Sequence, residues 1–203
     1  MTDDAADAVF PCRSVLSDGS VYRVVPVEAG VRAIRAWAEY PWPMSPAQAL
    51  ALRDRLGWTS SPTNERMFTT DHDLEEKDAS FTDVEAGGDT RTVSSFRMSL
   101  TSRIPKPVRA EAVPTAERAF DAYVEALTAI YGQGKRGKRK QHASMTWALP
   151  SDASVRIGTV GWVIDADVTS PAGNEAARGE AQYFAEITDE NDVPYIDIDN
   201  PDS

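Results

Sequence analysis

The stretch that decides the fold runs Met145-Thr146-Trp147-Ala148-Leu149-Pro150, then Ser154-Val155-Arg156-Ile157-Gly158-Thr159, then Trp162-Val163-Ile164-Asp165-Ala166-Asp167-Val168. In each run apolar side chains recur at every second position, the period of a strand with one buried face. Ser151-Asp152 and Gly161 separate the runs by intervals too short for a parallel crossover, so successive runs must pair antiparallel. A three-stranded meander is therefore predicted.

A second meander is predicted upstream. Residues 65–70 are short strand material, residues 80–85 alternate around Phe81 and Val84, and residues 90–104 form a long strand beyond the Gly87-Gly88-Asp89 turn. The parity of that long strand slips between Val93 and Phe96, which predicts a bulge. Near the N-terminus, Val15-Leu16 and Val21 to Val25 flank Asp18-Gly19, a pair suited to a type I′ hairpin turn.

The period changes to that of a helix at Val27, with Val31, Ile34 and Ala38 on one stripe beside Trp37. Pro41 and Pro43 end that helix near Tyr40. Ser45, Pro46 and Gln48 form a capping box that starts the next one, and Gly57 supplies its left-handed exit. A third helix is predicted over 115–131, with Phe120, Val124, Leu127 and Tyr131 on its face and Gly132 closing it. Ser170-Pro171 opens the last, whose apolar edge is Tyr183, Phe184 and Ile187. Gly173 and Gly179 weaken it by about 1 kcal/mol each against Ala, so packing must hold it.

The fold class that follows is α+β: an antiparallel sheet built from two three-stranded meanders, packed on one face by helices. Residues 12–188 are read as one domain. Residues 1–11 and the acidic tail 189–203 are expected to stand outside it, because neither carries a core-forming period.

Composition argues for binding over catalysis. The 203 residues hold one cysteine, Cys12, and two distant histidines, His72 and His142. No glycine-rich phosphate loop, metal-spaced Cys/His cluster or nucleophile motif occurs, and no cofactor is expected. The triplet Asp71-His72-Asp73 reads as polar surface more readily than as a metal site. Asp165 and Asp167 share a strand face and could serve acid/base chemistry, although the solvent face of a sheet explains them as well. No apolar run is long enough to span a bilayer and the first residues are acidic, which places the chain in the cytoplasm as an expectation.

The net charge is −11. Such a surface repels nucleic acid and steers a basic protein partner. The candidate partner-binding residues are Asp71, Asp73, Glu75, Glu76 and Asp78, together with Trp42, which lies between Pro41 and Pro43 and is read as an exposed interface anchor. The opposing run Lys135-Arg136-Gly137-Lys138-Arg139-Lys140 is read as the exit loop of the third helix.

Tyr22-Arg23-Val24-Val25-Pro26, Tyr40-Pro41-Trp42-Pro43-Met44-Ser45 and Leu56-Gly57-Trp58 resemble the signature of an actinobacterial domain-of-unknown-function family: a Trp-Pro segment, a short helix and a closing Leu-Gly-Trp. The resemblance spans roughly residues 21–187 and implies no established activity. Small acidic proteins of this style resemble immunity proteins of polymorphic toxin systems, and the element order is similar to that of secretion chaperones. The leading expectation is thus a non-catalytic immunity protein that neutralises a basic toxin domain. A secretion chaperone or adaptor is the alternative, and a hydrolase using Asp165 and Asp167 the second alternative.

Overall fold

Eight strands hydrogen-bond into one antiparallel sheet in the computed structural model, which describes residues 10–74, 77–88, 90–139 and 142–189, without the side chains of 138, 139 and 185–189. In chain order the elements are β1 (Arg13–Val15), β2 (Val21–Arg23), α1 (Val27–Ala38), α2 (Pro46–Arg55), β3 (Thr59–Ser60), β4 (Met67–Thr69), β5 (Ala79–Glu85) and β6 (Arg91–Ser99). A 3₁₀ turn at Lys106–Val108 then leads into α3 (Arg109–Tyr131), followed by β7 (Lys135–Arg139), β8 (His142–Ala148), β9 (Ser154–Val160), β10 (Val163–Thr169) and α4 (Pro171–Asp189). The sheet order is β3-β4-β5-β6-β10-β9-β8-β7, and β1 and β2 make a separate hairpin.

The α+β class holds, while the two meanders differ from expectation. Each has four strands, and pairing of β6 with β10 fuses them into one sheet. Sequence period missed β3 because two residues, Thr59 and Ser60, are too few to show alternation. It missed β7 because the basic run, read as a loop, carries no apolar face; it pairs from Lys135 with Thr146 to Arg139 with His142. The predicted bulge is present: Thr82 faces Ser95 and Asp83 faces Val93, so Ser94 is the extra residue. The hairpin turn differs in type. Only Gly19 has positive φ, 82°, whereas a type I′ turn needs it at both central residues.

Local signals place the helices. Ser45 accepts from the Gln48 N–H while the Gln48 side chain accepts from the Ser45 N–H. Gly57 exits at φ 75°. α3 begins at Arg109 rather than near 115 and carries Pro114 inside it. As the sixth residue of α3, Pro114 lies past the first turn and forgoes one intrahelical N–H bond.

Alternation then builds the core. Phe96 and Met98 from β6, Leu100 just beyond it, Ile164, Ala166 and Val168 from β10, and Val155 and Ile157 from β9 are all fully buried. They meet α1 and α3 through Ile34, Trp37, Ala116, Ala119, Tyr123 and Leu127. Tyr22 and Tyr123 bury their rings, and their hydroxyls donate to the carbonyls of Trp162 (2.6 Å) and Val25 (2.9 Å). Phe10, in the segment expected to stand outside the domain, is buried in the core; residues 1–9 and the tail from 190 lie outside the described residues.

α4 departs from the one-faced helical layer. Ser170 caps it by accepting from the Gly173 N–H, and the Ser170 N–H donates to the bulged Ser94 carbonyl at 2.9 Å. A side chain at Gly173 would collide with that carbonyl and with the Thr169 methyl. Asn174 pairs with Ser154 and with the Asp152 carbonyl. Thr169 and Ser154 face away from Val168 and Val155, so α4 starts on the sheet face opposite α1 and α3.

Candidate functional site

The residues singled out in the sequence fall into separate places. Asp71 and Asp73 are exposed on the loop between β4 and β5. Asp71 accepts from the Trp58 indole N–H at 3.2 Å, and Asp73 pairs with Arg23 at 3.1 Å. Glu75 and Glu76 lie outside the described residues. Asp78 does not join the acidic surface. It is 6% exposed and receives both the N–H and the hydroxyl of Thr70, at 2.7 and 2.6 Å, thereby closing the loop. Burial raises its pKa against those two bonds.

His72 packs edge-on against Trp58 with ring centroids 6.3 Å apart, its Nδ1 3.4 Å from Asp71 and its Nε2 buried without a hydrogen-bond partner. Among the described residues no three His, Cys, Asp or Glu side chains are grouped to hold a metal. Burial pushes the His72 pKa down, outweighing the nearby Asp71 and Asp78 and reinforced by Arg32. A histidine harder to protonate when folded favours unfolding in acid. Its contribution is intact above the unfolded value of about 6.5 and lost as pH falls toward its lower folded value. His72→Phe is therefore expected to flatten the decline in urea midpoint between pH 7.5 and 5.5; an unchanged slope would remove His72 from the account. Asp78 acts in the opposite sense, gaining stability as it regains a proton, and is common to both proteins.

Trp42, expected to be exposed, is half-buried against the core with its indole nitrogen enclosed. Together with Pro43 and Thr92 it forms one wall of a cavity of about 430 Å³, whose other wall is Ser170, Pro171, Ala172 and Glu175. The proline-flanked loop is thus a buttress for the start of α4, and the acidic loop lies elsewhere.

Asp165 and Asp167 do share the polar sheet face. The Arg97 side chain donates to one Asp167 oxygen at 2.6 Å and Arg156 to the other at 3.1 Å. Ser99 donates to Asp165 at 3.2 Å. Burial raises the Asp165 pKa, and Arg97 partly offsets it. The row Thr146, Arg156, Asp167, Arg97, Ser80 runs across five strands in register. Cross-strand charge pairs of this kind bind the β6, β10 and β9 backbones together. With both Asp167 oxygens engaged by guanidinium groups, the arrangement is that of an ion-paired ladder.

The feature missed in the sequence is the exposure of α4. From Glu175 through Phe184 every residue is exposed, including Tyr183 at 61% and Phe184 at 58%. The two rings meet edge to face with centroids 5.8 Å apart. Between α4 and the sheet runs a groove of about 420 Å³, lined by Ala177 and Ala181 on one side and by Thr146, Ala148 and Ser154 on the other. The residues of α4 nearest the sheet are Gly173, which touches it, and Ala177 and Ala181, which line the groove. A larger cleft, about 940 Å³, lies on the helical layer, where Val27, Val31, Ala36 and Tyr40 are ringed by Arg32, Arg35 and Arg55. Arg35 is held there by Glu39 at 2.7 Å, and Arg55 lies over the Tyr40 ring.

No helix among the described residues is long and apolar enough to cross a membrane. A family model described as a family of unknown function (DUF6301) matches residues 28–170. That interval runs from the second residue of α1 through β10 and stops at the cap of α4. No curated protein and no solved structure matches the chain.

Proposed function

The chain belongs to a family of unknown function (DUF6301), which hands down no activity, and we propose from its own geometry that it is a non-catalytic protein-binding domain, of the immunity type that neutralises a toxin. The observation that carries this reading is the aromatic pair Tyr183 and Phe184, exposed on a helix whose residues from Glu175 to Phe184 are all exposed. Aromatic rings offer large contact area with little entropy to lose, and they anchor many interfaces. The net charge of −11 supports a basic partner, with Asp71 and Asp73 among the steering charges. Trp42 then acts indirectly by supporting the root of α4.

The test begins with crosslinking in the native host to identify the partner, followed by kinetics with purified proteins. Tyr183→Ala is expected to raise the off-rate, costing about 2 kcal/mol or more if the ring is a hot spot, with melting temperature unchanged because the side chain is exposed. Raising salt should slow association, since exposed charges act over a Debye length of about 10 Å at 0.1 M. Co-expression should protect cells from a toxic partner. A partner whose toxicity is unaffected by the chain would end the immunity reading. Salt-independent capture of an unfolded secreted client would favour the chaperone reading, for which the groove beside Ala177 and Ala181 is the observation.

A further inference from the structure

We propose that β7 is a docking edge for an acidic, extended segment of a partner protein, which adds to the sheet as a further strand. β7 ends the sheet order, so only one of its sides is paired among the described residues. A strand edge presents free N–H and C=O groups at a spacing that an incoming strand matches. The opposite edge, β3, has only Thr59 and Ser60 to offer, whereas β7 has five residues.

The chemistry of the edge selects the occupant. Its sequence is Lys-Arg-Gly-Lys-Arg in a chain of net charge −11. Lys135 and Arg136 are exposed. Their cross-strand neighbours on β8 are Thr146 and Met145, neither of which can neutralise them. Gly137 sits at the centre of the edge opposite Ser144, where a side chain would press within 2.7 Å of the Ser144 hydroxyl. A glycine inside a strand weakens it, and it commonly marks a place where another backbone comes close. Like charge opposes pairing of β7 with a second copy of itself, while aspartates at alternate positions of an incoming strand would meet the cations on one face of the sheet directly.

The experiment uses the full chain and a labelled synthetic peptide of alternating aspartate and isoleucine, read by fluorescence anisotropy at low salt. Binding is expected, with slowed hydrogen exchange at the amides of 135–139. Lys135→Glu/Arg136→Glu should weaken it by about tenfold or more, and Lys135→Gln/Arg136→Gln by less, because like charges add repulsion. Tyr183→Ala should leave it unchanged, so this proposal and the reading of α4 fail separately. A version of the peptide methylated at alternate backbone nitrogens keeps every charge but loses its donors, and is expected not to bind. Equal binding of the methylated peptide, or the absence of any peptide binding, would overturn the proposal. So would tighter binding of a single-stranded oligonucleotide, which would make the edge a phosphate site, or pairing of two copies through β7.

Discussion

Trp37→Ala is expected to lower stability by about 3–5 kcal/mol, the range for removing a large aromatic side chain from a packed core. Total stabilities run to about 5–15 kcal/mol, so this one change removes a large share. Trp37 is 0% exposed, and its ring lies parallel to Phe96 with centroids 4.1 Å apart and planes 3° from coincidence. Phe68 and Phe81 flank it at 6.1 and 6.4 Å. One ring from α1 thus ties together β4, β5 and β6. Alanine would leave a void that three aromatic side chains on separate strands cannot close without moving the sheet. The indole nitrogen is buried without a hydrogen-bond partner, so the polar group adds nothing. Trp37→Phe, which keeps the stack and deletes the orphan donor, should cost clearly less than alanine. Urea unfolding of the two variants provides the comparison. Equal losses would mean that stacking on Phe96 is not what Trp37 contributes.

Where the sequence was legible, a short-range physical rule controlled the structure. The Ser45, Pro46 and Gln48 cap and the Gly57 exit are set by groups within one helical turn of each other, and the structure reproduces them. The slip in parity between Val93 and Phe96 located the Ser94 bulge because side-chain direction follows backbone parity strictly. The strand β7 was illegible because the period of an edge strand is masked when both of its faces are solvated; Lys135 and Arg136 look alike in sequence whether paired or not. Asp78 was read as surface because a buried carboxylate differs from an exposed one only through Thr70, eight residues away, whose N–H and hydroxyl satisfy it. The same limit applies to Trp42. Its flanking prolines predict a kinked loop, and only the tertiary arrangement turns that loop inward against α4. The exposure of Tyr183 and Phe184 was hidden for a further reason: an apolar edge on a helix predicts burial, and whether the burial is by this chain or by another cannot be written in its period.

Gly30→Ala is expected to destabilise the fold even though alanine favours a helix by about 1 kcal/mol over glycine. Gly30 lies in α1, where a Cβ would overlap the Tyr123 hydroxyl and come within 2.8 Å of Cε1 and Cζ of the same ring. Tyr123 is fully buried on α3 and cannot swing outward, since its hydroxyl donates to the Val25 carbonyl at the entry to α1. Accommodating the methyl group means either separating α1 from α3 or giving up that hydrogen bond. Overpacking costs about 1–3 kcal/mol, and a buried acceptor left unsatisfied about 1–3 kcal/mol more. A net loss of about 1–5 kcal/mol after the helical gain follows from those terms. Gly30→Val should be worse still, because its two further carbons enter the same space. The pair provides its own control. Tyr123→Phe alone forfeits the bond to Val25, but it also removes the atom that the new Cβ strikes first. The double variant Gly30→Ala/Tyr123→Phe should therefore lose less than the sum of the two single changes, with a coupling of about 0.5–3 kcal/mol, the range for residues in direct contact. Additive losses in urea unfolding would show that the glycine is tolerated there for some reason other than the approach of Tyr123, and that α1 and α3 are not locked at this point.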